Sequence, residues 1–256
     1  MWNAALSPLC RDTSIVSAGT LQDLSLVYPG NDDSKLFDLF NGVAPHLRRV
    51  TLEGIRLVWT PCMFENVTYL DYTHHGFTRG TEAVAEILAM LHISIRLECL
   101  AIKLPAPKQD HRRNTAPSHN LVKTVVTLLR LHTLRVSITQ PHIPVEVTQL
   151  LAYLCAPQLS TLVLEDTAKS QRPLVGIENL ASVLAGGLSS ASRLCVGHGF
   201  LDRRFILTLV ATWRRLRCLD VITSNCGRFS VVLPPEMRHR DRRFLRRFGR
   251  VWLNST

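Results

Sequence analysis

Two eleven-residue stretches of this 256-residue chain share one shape. Ala44-Pro45-His46-Leu47-Arg48-Arg49-Val50-Thr51-Leu52-Glu53-Gly54 returns as Ala156-Pro157-Gln158-Leu159-Ser160-Thr161-Leu162-Val163-Leu164-Glu165-Asp166. The copies start 112 residues apart, four steps of 28, and agree at Ala, Pro, Leu, an aliphatic, Leu and Glu. A unit that recurs at such a step buries its apolar side only against its own neighbours, which restricts the chain to stacked repeats.

The shared core is Leu-x-x-φ-x-φ, with φ apolar. The two φ positions alternate as in a half-buried strand, so they point one way and the intervening residues the other. Eight units can be placed: Leu21/Leu24/Leu26, Leu47/Val50/Leu52, Val67/Leu70/Tyr72, Leu97/Leu100/Ile102, Leu131/Leu134/Val136, Leu159/Leu162/Leu164, Ala191/Leu194/Val196 and Leu216/Leu219/Val221. Their starts lie 20 to 34 residues apart.

Most intervals hold a stretch with helical period, at 81–92, 120–131, 145–155, 177–188 and 201–213. In one of them Val147, Leu150, Leu151 and Leu154 fall on a single helix face. Pro144 suits that helix's start and Pro157 its stop. The expected fold is therefore an α/β solenoid of about eight irregular repeats, with a parallel inner sheet and helices and loops outside. Ser34 is expected to cap a short helix through Phe40, and the link 54–66 to be a loop. Polar insertions at 105–117 and 168–173 lengthen two repeats.

The net charge of +10 is uneven. Eight arginines against Glu236 and Asp241 give residues 227–256 a charge of +6, which leaves +4 for the rest. This divides the chain into a solenoid with an N-terminal cap (1–226) and a basic tail (227–256). Phe244, Phe248 and Val251 would let the tail form an amphipathic helix. Seven cysteines without a C-x-x-C pair point to free thiols in a reducing compartment, hence an intracellular protein, cytoplasmic or nuclear. No apolar run is long enough for a transmembrane helix.

The units with their Ala-Pro-x-Leu entries resemble leucine-rich repeats, and more narrowly the irregular repeats of fungal F-box-like proteins. The resemblance covers Leu21 to Asn225. It implies target recognition within a ubiquitin-ligase receptor, with the ligase adaptor docked through an F-box. No F-box is found. Leu233-Pro234-Pro235-Glu236 echoes the start of one, but the run from Met237 to Arg243 is too charged to bury and lies at the wrong end. The asparagine that often bonds neighbouring turns in such repeats is replaced by Pro29, Ile55, His75, Pro105, Thr139, Thr167, Gly199 and Ser224.

No Gly-x-Ser-x-Gly, phosphate-loop, dinucleotide or His-Glu-x-x-His motif occurs, so no enzyme and no cofactor is expected. His74 and His75 lack a third ligand at helpful spacing and are expected on the rim just past a strand, with no metal. What remains is a surface: the residues between the φ positions form rows across the sheet. Among them Arg49, Glu53, Tyr69, Asp71, Lys103, Arg135, Glu165, Arg193 and Asp220 are the candidate contacts for a protein partner on a concave face. Their mixed signs argue against nucleic acid there. The alternative is a nuclear or nucleic-acid-associated protein acting through Arg238, Arg240, Arg242, Arg243, Arg246, Arg247 and Arg250.

Overall fold

The computed structural model describes residues 18–31, 34–105, 124–223 and 227–233. In chain order the elements are β1 (Asp23–Val27), β2 (Leu36–Phe37), β3 (Arg49–Glu53), β4 (Arg56–Leu57), α1 (Pro61–Phe64), β5 (Tyr69–Thr73) and α2 (Gly80–Ile93). There follow β6 (Cys99–Leu104), β7 (Val126–Thr127), β8 (Thr133–Ile138), α3 (Val145–Ala152), β9 (Leu154–Cys155) and β10 (Thr161–Asp166). The last are α4 (Ile177–Leu184), β11 (Arg193–Gly197), α5 (Arg203–Thr212), β12 (Cys218–Thr223) and β13 (Gly227–Val232).

Nine strands make one open sheet in the order β1-β3-β5-β6-β8-β10-β11-β12-β13. The first eight are parallel and each carries one φ-x-φ pair, as the spacing predicts. Register is strict: Leu24, Val50, Leu70, Leu100, Leu134, Leu162, Leu194 and Leu219 stand side by side. All eight are buried, seven of them at 1% exposure or less. They join the inner faces of the helices in one core: Val84, Ile87 and Leu91 from α2, Val147 and Leu150 from α3, Leu180 and Leu184 from α4, Phe205 and Leu209 from α5. Each helix contributes residues three or four apart, one apolar stripe per helix.

The same backbone bonds recur at every step. The leading residue of each unit donates to the carbonyl three residues back, as in Leu47 to Ala44 (3.1 Å), Leu159 to Ala156 (3.1 Å) and Leu216 to Trp213 (3.1 Å). This turn buries the leading leucine, with Leu47 and Leu97 at 0% exposure. The carbonyl just after it accepts two amides from the next unit. Arg48 and Arg49 donate to Gln22, Thr68 and Tyr69 to Arg48, and so on to Arg217 and Cys218 on Ser192. One shared carbonyl per step closes the turn and starts the next ladder.

Several local expectations are corrected. Residues 124–131 are not helical: Val126–Thr127 pairs in parallel with Leu154–Cys155, also taking the end of the helix expected over 145–155. The β-branched pair Val126-Thr127 favours the strand. Residues 34–40 hold the two-residue β2, followed by a 3-10 turn at Phe40–Gly42, instead of a helix. The link 54–66 is not all loop, because β4 pairs with β2 and α1 begins at Pro61. The sheet also runs past residue 226, where β13 adds an antiparallel ninth strand against β12. Asn31 supplies one rung between turns after all, donating from Nδ2 to the Gly54 carbonyl at 2.7 Å.

Candidate functional site

The face of the sheet opposite the helices carries the rows expected from the repeat. One row runs Asp23, Arg49, Tyr69, Cys99, Thr133, Thr161, Arg193 and Cys218; the next runs Ser25, Thr51, Asp71, Ala101, Arg135, Val163, Cys195 and Asp220. Arg49, Arg135 and Arg193 are exposed, while Glu53, Tyr69, Asp71, Lys103 and Glu165 are half-buried by their row neighbours. Arg49 lies over the Tyr69 ring at 4.5 Å and reaches Asp23 at 3.4 Å. Burial pushes the Asp71 carboxyl up, against the pull of Arg135 and Lys103. Glu165 accepts from the Ser137 hydroxyl at 3.4 Å.

Asp220 is the exception. It is not free for a partner: the side chain is wholly buried beneath Arg193, Arg228 and Ser230. Its Oδ1 accepts from Ser230 Oγ at 2.5 Å and from Cys218 Sγ at 3.7 Å. Its Oδ2 lies 2.6 Å from Arg228 Nη2 and 3.2 Å from Arg193 Nε. Burial raises its carboxyl, but these bonds outweigh burial and hold it below the usual range.

His74 and His75 correct a second expectation. They are buried, not on the rim, and a third group does meet them: Glu86, from the second turn of α2. His75 Nε2 lies 3.1 Å from Glu86 Oε2, and Thr78 Oγ1 donates to the same oxygen at 2.6 Å. His74 Nε2 is bonded to Thr78 Oγ1 at 3.1 Å and stands 3.8 Å from Glu86, too far for a direct bond. Arg56 takes the other oxygen through Nη2 at 2.7 Å and Nε at 3.1 Å.

Backbone amides decide the chemistry of this cluster. Gly76 N donates to His74 Nδ1 at 3.1 Å and Phe77 N to His75 Nδ1 at 3.0 Å. Both Nδ1 atoms are therefore acceptors, and both protons sit on Nε2, aimed at Thr78 and Glu86. A metal on Nε2 would need the opposite tautomer, with Nδ1–H facing a backbone N–H. The cluster is a closed hydrogen-bond network, not a ligand set. Burial lowers His75 to about 4, against the opposing pull of its Glu86 bond. Burial also raises Glu86, but the bonds from His75, Thr78 and Arg56 prevail and hold it well below the carboxylate range.

Beside this network a groove of about 510 Å³ opens between the starts of α2 and α3, lined in part by His74, Leu104, Ile143 and Glu146. Glu146 Oε1 already accepts from Gly80 N at 2.8 Å, so a carboxylate of the protein itself meets the start of α2.

No family model matches the chain, and no curated protein matches it. Among solved structures, a TLR13–ssRNA13 complex is a weak structural neighbour, at a TM-score of 0.35 and 14% identity. The match covers 81% of this chain but only 33% of that one, so this chain spans about a third of its length.

The seven candidate tail arginines, from Arg238 to Arg250, lie outside the described residues. No helix among the described residues is long and apolar enough to cross a membrane. The five described cysteines, Cys62, Cys99, Cys155, Cys195 and Cys218, are all free.

Glu86 escapes sequence reading because its partners sit on the loop before its helix, at a spacing that matches no motif. Arg228 and Ser230 escape it because β13 falls within the basic tail. The alternation in Arg228-Phe229-Ser230-Val231-Val232 is the available signal.

Proposed function

We propose that this chain is a leucine-rich-repeat solenoid acting as a non-catalytic binding module, with the polar face of its sheet turned to a protein partner. The observation that supports this best is the asymmetry of the two faces. Helices fill one side, whereas Arg49, Arg135 and Arg193 stand exposed in aligned rows on the other. Rows that mix both charges around Tyr69, Ala101 and Val163 suit a protein surface better than a polyphosphate. The finer role, target recognition in a ubiquitin-ligase receptor, rests on the resemblance of the Ala-Pro-x-Leu units to fungal F-box-like repeats. A second reading, nucleic acid held by the tail, rests on the arginine run 238–250.

One capture experiment separates the two readings. Full-length protein and an Arg49→Glu/Arg135→Glu variant are used as baits in nuclease-treated and untreated lysate. The first reading expects proteins that survive nuclease and are lost with the variant, at unchanged Tm. Captured proteins that disappear on nuclease treatment, and are indifferent to the variant, would overturn it in favour of the tail.

A further inference from the structure

The end of the polar face holds two guanidinium groups on one buried carboxylate. Arg193 on β11 and Arg228 on β13 flank β12 and converge on the same atom, Asp220 Oδ2, at 3.2 and 2.6 Å. Asp220 is wholly buried, while the arginine side chains remain 48% and 55% exposed. Its other oxygen is taken by Ser230 and Cys218. The carboxylate thus offers a partner nothing, and its single charge balances only one of the two guanidinium groups.

We infer that Arg193 and Arg228 form an oxyanion site, which seats a carboxylate or phosphoryl group carried by an extended segment of a protein partner. The inference rests on the binding-module reading above. Arg228 spends one N–H on Asp220, and Arg193 one on Asp220 besides its bond to Cys218, so other N–H groups of each five-donor set remain and are directed by a fixed anchor. Anchoring matters because a free arginine must give up rotamer freedom on binding, whereas these two have already done so. An incoming oxyanion also relieves the repulsion between two cations held at one oxygen. Planar, forked donors favour carboxylate and phosphate over other acceptors. Arg135, exposed on β8 in the same row as Asp220, extends positive charge along the face towards Lys103.

The test uses the full chain and three labelled peptides of eight residues: alternating Ser-Glu, the same with phosphoserine, and a Ser-Gln control. Fluorescence anisotropy is expected to show the first two binding and the control failing. The tighter of the two names the anion source. Arg193→Gln/Arg228→Gln should weaken binding by about tenfold or more. Asp220→Asn separates anchoring from bare charge. It adds positive charge yet should weaken binding, whereas tighter binding by this variant, with its Tm intact, would overturn the anchored site. Equal affinity for the Ser-Gln control would also overturn it. So would binding that survives the double arginine change and is lost only when the seven tail arginines become glutamine. A single-stranded oligo-uridine probe that displaces the peptides and itself needs Arg193 and Arg228 would reassign the pair to phosphodiesters. Failure here with Arg49 and Arg135 still required for capture leaves the module reading standing without this site.

Discussion

His75 should give the fold a defined acid sensitivity. Its ring is 1% exposed, its Nδ1 faces the Phe77 amide, and burial brings it down to about 4. The folded state therefore prefers neutral histidine, whereas the unfolded chain takes up a proton near 6.5. Well above pH 6.5 neither state is protonated and stability is intact. As pH falls from 6.5 towards 4 the unfolded state binds more protons, so stability drops across that window and is lost no further below it. Between pH 7 and pH 4.5 the loss works out at about 2.5 kcal/mol. Glu86 stays ionised throughout, because its bonds hold it below this range. The perturbation is His75→Gln, whose amide can accept from Phe77 N and donate to Glu86 without titrating. Urea unfolding of both proteins at the two pH values reads the term, since groups distant from residue 75 cancel in the difference. Wild type should lose about 2.5 kcal/mol more than the variant on acidification. Equal losses would refute both the tautomer assignment and the closed network built on it.

Leu162, with no exposed surface in a central strand, should cost about 2–5 kcal/mol as alanine; a loss near zero in denaturant unfolding would take it out of the core. Ser94 occupies the turn position held by Ala44 and Ala156, and its hydroxyl is buried without a partner. Ser94→Ala should therefore raise stability by about 1 kcal/mol or leave it unchanged, and a fall in Tm would mean that the hydroxyl has an undetected acceptor.

Sequence spacing carries the sheet but not its edges or its polar knots. The φ-x-φ pairs are readable because burial against neighbouring units forces the same apolar residues into every strand, from Leu24 to Val221. Residues 124–131 mislead because Val126, Leu128 and Leu131 suit either period. Only Leu154–Cys155, distant in sequence, selects the strand. Alternation places the face residues correctly, yet it cannot tell that a later antiparallel strand will bury Asp220. The cluster at His74 and His75 depends on a carboxylate one element further on, where no periodicity links the two.

The shared carbonyls at Gln22, Arg48, Thr68, Glu98, His132, Ser160 and Ser192 bear on how the molecule would yield to force. Because each strand is tied to its predecessor in chain order, tension along the sheet would load one seam at a time. Terminal strands would peel before interior ones, and each rupture would release one unit of about 28 residues, roughly 100 Å of contour length. A pulling trace should then show a staircase of small, similar steps in place of one large break.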